Sequence, residues 1–185
     1  MPATTLDPNT ALVLVDLQKG ITGLPTAHPT AEVVENGARL AAAFRKRGLP
    51  VVLVHVVAGA PGRTDAQPNG GGGQYPADFA DLAPELGREE GDIVVTKHTW
   101  GAFHGTDLDL QLRRRGVTQV VLAGIATSIG VESTARSAYE HGYHVTLATD
   151  AMTDIDAEAH RNSVEKIFPR LGESDSTDAI LALLG

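Results

Sequence analysis

Residues 120–150 read VVLAGIATSIGVESTARSAYEHGYHVTLATD, and the fold class follows from how this stretch divides. Its opening apolar run, Val120 to Ala123, is left open by periodicity alone; the Gly124 that ends it favours a short buried parallel strand. Val131, Thr134, Ala135 and Ala138 then fall at i, i+3, i+4 and i+7, one face of a helix, with Glu132 in the first turn where the helix dipole favours an anion. Gly142 is placed to end that helix, and residues 144–148 (HVTLA) read as the next strand, closing on Asp150. The unit is strand, tight elbow at Gly130, helix, strand: a βαβ crossover. Such elbows turn backbone N–H groups towards the crevice where open α/β sheets bind ligands. The elbow therefore marks the candidate site.

Working outward, the 185 residues suit one domain with one well-buried core. Residues 11–15 (ALVLV) are a first parallel strand that delivers Asp16-Leu17-Gln18 at its C-terminal end. A helix over about 31–47 carries Val33, Val34, Gly37, Leu40, Ala41 and Phe44 on one face and stops at Gly48. Strand two is 50–57. Residues 58–77, with four consecutive glycines and three prolines, read as a flexible insertion, a surface loop or a mobile lid. A short turn or helix falls within 78–90, and strand three, 92–96, delivers Lys97. Thr106 caps a helix to about 115 with Leu108, Leu110 and Leu112 partly buried. Past the central unit come a helix near 156–168, a short edge strand around 171–175 and a final helix 176–184, capped by Ser176 or Thr177. The alternation predicts a three-layer α/β/α sandwich around a mostly parallel sheet of roughly five or six strands.

Composition narrows the function. Lys plus Arg is 15 and Asp plus Glu is 23, a formal charge of −8, and no basic cluster is longer than Arg113-Arg114-Arg115, which disfavours a nucleic-acid partner. The longest apolar runs fall far short of the roughly 20 residues of a membrane helix. The N-terminus lacks the make-up of a signal peptide, so no membrane is expected and the cytoplasm is the default. There is no cysteine, which removes disulfides, thiolate metal sites and sulfur nucleophiles together.

Several side chains could carry chemistry. Asp16 follows five apolar residues that would desolvate it, raising its pKa towards that of a neutral-pH acid or base; equally, it could cap the following turn. Lys97, placed alike, could pair with Asp16 or stabilise developing negative charge, or be a solvated surface lysine. His55, inside an apolar strand, reads as a core histidine with one hydrogen-bond partner. Trp100 and Phe103, bracketed by His98 and His104, could form a substrate-stacking wall or simple packing. The amides of residues 124–130 could build an oxyanion pocket, and Gln18 and Thr127 border the same crevice as candidate substrate contacts. Ser128 and Ser133 have no histidine at a recognisable spacing. No HxxxH or HxH spacing occurs, so neither metal nor cofactor is expected.

Taken together, Asp16, Lys97, the Lys-x-x-Trp-x-x-Phe-x-x-Thr-x-Leu run (97–108) and Gly-Ile-Ala-Thr-Ser-Ile-Gly-Val-Glu-Ser-Thr-Ala-Arg (124–136) resemble the isochorismatase-like hydrolase superfamily. The resemblance covers about 10–184. It implies an Asp-Lys-Cys triad attacking an amide or ureide carbonyl, in which Asp16 matches the acid, Lys97 the lysine and Gly130 the cysteine position. It also implies a cis peptide before Ala126, with the Ala126 and Gly130 amides facing the oxyanion. Gly130 departs from the covalent mechanism. It resembles instead two groups with glycine there: vinyl-ether-cleaving isochorismatases and proteins sharing this Gly-Val-Glu-Ser-Thr-Ala-Arg run, the latter more closely. The expected function is a small-molecule hydrolase working by acid catalysis. A silent binding protein, or a cysteine hydrolase with its nucleophile replaced, are the alternatives. The resemblance further implies a homo-oligomer, dimer or tetramer.

Overall fold

The computed structural model describes residues 1–59, 62–65 and 75–185; most of the 58–77 loop expected to be flexible lies outside the described residues. Six strands form a single all-parallel sheet: β1 (Thr10–Val15), β2 (Val51–Val56), β3 (Ile93–Lys97), β4 (Gln119–Ile125), β5 (His144–Thr153) and β6 (Glu173–Asp175). Their order is β3-β2-β1-β4-β5-β6. The chain starts in the middle, builds outward to β3, then returns beside β1 and builds the other way. Such a sheet leaves a crevice at the carboxyl ends of the two strands where the direction reverses, here β1 and β4.

β1 and β4 are buried along their whole length because helices cover both faces, which is why they read as unbroken apolar runs. Successive side chains serve opposite layers. Ala11, Val13 and Val15 join a core with Leu108 and Leu112 of α3 (Leu108–Arg114) and Ala135 and Ala138 of α4 (Glu132–Glu140). Leu12 and Leu14 join the opposite core with α2 (Thr30–Lys46) and Ile180 of α6 (Thr177–Leu184), the short α1 (Lys19–Thr22) preceding α2. Gly37 lets α2 come this close, since a Cβ there would lie 2.8 Å from Leu17 Cδ1. A helical glycine costs about 0.5–1 kcal/mol. Burying each of Val33, Leu40 and Phe44 contributes about 1.5–3 kcal/mol, so close packing wins.

Several expectations are corrected. Leu110 is 53% exposed: Leu108 and Leu112, four residues apart, share the buried face, and a residue between them points away. α3 begins at Leu108, with the Thr106 hydroxyl accepting the Leu108 N–H at 3.2 Å. The short turn or helix expected within 78–90 is present as a 3₁₀ turn, Pro84–Leu86. The helix expected near 156–168 is α5 (Ala157–Asn162) continued by a π turn, Ser163–Ile167, and a 3₁₀ turn, Phe168–Arg170, where Pro169 cannot supply a helical N–H. β5 does not close at Asp150. Its register against β4 slips between Leu122 and Gly124, so the strand runs on to Thr153 while Asp150 accepts the Thr177 N–H at 2.7 Å at the start of α6. Among the described residues no helix is long and apolar enough to cross a membrane.

Candidate active site

Asp16 is the first residue past β1 and adopts φ +54°, a left-handed turn at the sheet's carboxyl edge. Lys97 ends β3, two strands away. Adjacent strands lie about 4.8 Å apart, so only a long side chain crosses β2 to reach Asp16. Lys97 does: its Nζ is 2.7 Å from Asp16 Oδ2 and donates to the Thr99 carbonyl at 3.0 Å, with the side chain 2% exposed. Asp16 Oδ1 is buried with no hydrogen-bond partner among the described residues. Burial pushes the Asp16 carboxyl up to about 6, overriding the opposite pull of the Lys97 ammonium. His55, half-buried, uses both ring nitrogens: Nδ1 donates to the Ala80 carbonyl at 2.8 Å, which leaves Nε2 to accept from the Thr96 hydroxyl at 2.7 Å.

The elbow faces this pair. Gly124 has φ +128° and a Cβ there would fall 2.0 Å from the Val15 carbonyl oxygen, so only glycine lets β4 lie against β1 at this point. The Ile125–Ala126 peptide is cis. A π turn, Thr127–Val131, follows, with the Ile129 and Val131 N–H groups both donating to the Ala126 carbonyl. Gly130 has no positive φ. A Cβ there would sit 3.3 Å from Asp16 Oδ2, 3.1 Å from Val15 Cγ1 and 3.5 Å from the Trp100 carbonyl, so residue 130 directly adjoins the carboxylate and even a methyl group would fit there tightly.

Three supports that the sequence reading did not place at the site hold the elbow. Asp154, 2% exposed at the end of β5, accepts the Ser128 N–H at 2.7 Å and the Asp156 N–H at 3.3 Å. His160 Nδ1 meets Thr127 Oγ1 at 2.8 Å, and the His28 ring packs edge-on against His160. Thr134 donates to the Gly130 carbonyl and accepts from the Ala102 N–H, tying the elbow to the turn that carries Trp100.

A cavity of about 160 Å³ lies where these parts meet. Asp16, Lys97, Gly130, Ala126 and Trp100 all line it, with apolar walls from Ile21, Val56, Ile125, Ile129 and Ile155. Trp100 is 61% exposed, at the rim. The other expected contacts lie elsewhere. Gln18 is fully buried, its amide donating to the Val56 and Phe79 carbonyls and accepting from the Val56 N–H. Phe103 packs into the core against His141 and Tyr143, and Thr127 turns to His160.

An open parallel sheet with an acid and an ammonium at its switch point, against a β4 elbow, defines an isochorismatase-like α/β hydrolase fold. The chain belongs to the isochorismatase family: the Isochorismatase domain model matches residues 10–179. The isochorismatase family protein YwoC of Bacillus subtilis is 48% identical over 177 residues, covering 93% of this chain and 92% of that protein. The ureidoacrylate amidohydrolase RutB of Methylobacterium radiotolerans is 32% identical over 214 residues, covering 97% and 81%. The structure of an isochorismatase family protein from Burkholderia thailandensis superposes with a TM-score of 0.91 at 45% identity, covering 97% of each chain.

Proposed function

We propose that this chain hydrolyses a small molecule by acid–base catalysis at Asp16, with no covalent enzyme intermediate. A carboxyl with a pKa of about 6 is in its acid form in about a tenth of molecules at pH 7, enough to supply a proton and near enough to neutrality to take one back. Asp16 protonates the terminal alkene carbon of an enol-ether-type substrate, water adds to the resulting oxocarbenium carbon and the carboxylate takes a proton from that water. The hemiketal then collapses, its ether C–O bond breaking as Asp16 returns a proton to the departing oxygen and takes the hydroxyl proton, leaving a carbonyl product and an alcohol. Lys97 keeps the carboxylate fixed over the reacting centre. Gly130 leaves room beside Oδ2 for the water. A positioned general acid is worth roughly 10²–10⁴-fold, so turnover does not require a nucleophilic side chain. The observation that carries this reading is the 2.7 Å Asp16–Lys97 pair opening onto a cavity in which residue 130 has no side chain.

Turnover of a panel of enol ethers, esters and small amides, followed by mass spectrometry with Asp16→Ala alongside, tests it. Hydrolysis of at least one compound that the variant loses is the expected result. Turnover undiminished in Asp16→Ala, or ligands retained tightly and never cleaved, would overturn it. If Gly130→Cys alone acquires amidase activity, the position is a lost nucleophile rather than a water site.

A further inference from the structure

The cavity's charges and walls also say what can enter it. Lys97 has three protons, two of which already go to Asp16 Oδ2 and the Thr99 carbonyl. An anionic group reaching the third would share one ammonium with the Asp16 carboxylate, in a site where Lys97 is 2% exposed and water screens the repulsion far less than at the surface. No second cationic side chain lines the cavity among the described residues. A further carboxylate would lie against Ile21, Val56, Ile125, Ile129 or Ile155, desolvated and unpaired. Asp16 Oδ1, buried and unpartnered, calls instead for an N–H or O–H donor. The volume, about 160 Å³, is close to that of an apolar cavity of about 150 Å³ that takes up benzene.

Resting on the reading of this cavity as the reaction site, we infer that the substrate is an uncharged, largely apolar molecule about the size of one substituted six-membered ring, presenting a hydrogen-bond donor to Asp16 Oδ1 beside an acceptor for Lys97. Carboxylate-bearing substrates are rejected by the Asp16 charge and by walls that offer no second cation.

The test is a binding measurement that needs no turnover, so its outcome is independent of whether the site hydrolyses anything. Benzamide, benzoate and isophthalate share one ring and differ in charge. Their affinities are read by calorimetry at about pH 8 and by the fluorescence of Trp100, the chain's one tryptophan, at the cavity rim. Benzamide is expected to bind at least tenfold more tightly than benzoate, and isophthalate most weakly. Asp16→Asn frees the ammonium and is expected to shift the benzoate-to-benzamide ratio at least tenfold towards benzoate. Ile155 is 55% exposed at the mouth, so Ile155→Lys keeps the fold and adds a cation, shifting the ratio in the same direction. Wild-type protein that binds benzoate or isophthalate as tightly as benzamide, or that binds none of the three, would overturn the inference. So would ratios unmoved in both variants.

Discussion

At Asp16, two opposed effects act on one carboxyl. The ammonium 2.7 Å away favours the charged form, and enclosure by β1, β4 and the elbow disfavours it; enclosure wins, leaving the pKa at about 6. Gly130 is the complementary residue, because its backbone does not demand glycine and the space it leaves does the work. Gly130→Ala is expected to change stability by no more than about 1 kcal/mol, the gain in helix propensity opposing a tight contact with Val15 Cγ1. The methyl would stand 3.3 Å from Oδ2, where the water is proposed to lie, and turnover is expected to fall about 10²-fold or more. A thermal melt beside a kinetic assay separates the two effects; equal loss of both would show the glycine to be structural. The placement of Asp16 and Lys97 was legible because each directly ends an apolar strand, but that placement left a turn cap and a solvated lysine open; their pairing across β2 is visible only in the fold. Gln18 was misleading because it too lies just past β1, but its amide is satisfied by the Val56 main chain, a partner 38 residues away.

Among the elements, the elbow between β4 and α4 depends on supports brought from elsewhere. Asp154→Ala would leave the part-buried Ser128 N–H without its acceptor, at a cost of about 1 kcal/mol or more, and would let the turn carrying Gly130 drift. Stability and turnover should therefore both fall, whereas Asp156→Ala, which removes a cap from the start of α5, should cost about 1 kcal/mol and spare turnover. Chemical denaturation and kinetics on the two variants check this. Gly124→Ala is expected to lose about 3 kcal/mol or more, because its Cβ would overlap the Val15 carbonyl in a conformation that L residues rarely adopt; a normal melting temperature would refute that. The helix periodicity from Val131 to Ala138 made α4 readable. Asp154 was not readable, since it reaches Ser128 only because β5 slips register and runs past Asp150, an irregularity of strand pairing with no local signal.

Across the whole molecule, the α/β/α layering and a mostly parallel sheet of five or six strands were legible in the alternation of apolar runs with helical patterns, whereas the strand order, set by long-range pairing, was not. The burial of Asp16 couples the site to global stability. The Asp16 carboxyl has its ordinary pKa of 3.8 in the unfolded chain and about 6 in the fold, so the folded state binds the proton more tightly. The resulting stabilisation is full below about pH 4 and is lost as pH rises through about 6. Exposed carboxyls such as Asp156, held low by the Ala159 and Glu158 N–H groups, act in the opposite sense, so the Asp16 effect is read against Asp16→Asn. The stability of wild type minus that of the variant is expected to shrink as pH is raised from about 4 to 7 in urea titrations, and a difference that grows would contradict it. The most direct test is a ¹³C NMR titration of protein labelled at the aspartate side-chain carboxyl carbons. One resonance, absent in Asp16→Asn, is predicted to titrate near 6; an Asp16 resonance titrating at or below 3.8 would show the carboxyl fully ionised at neutral pH and remove the acid on which the proposed hydrolysis depends.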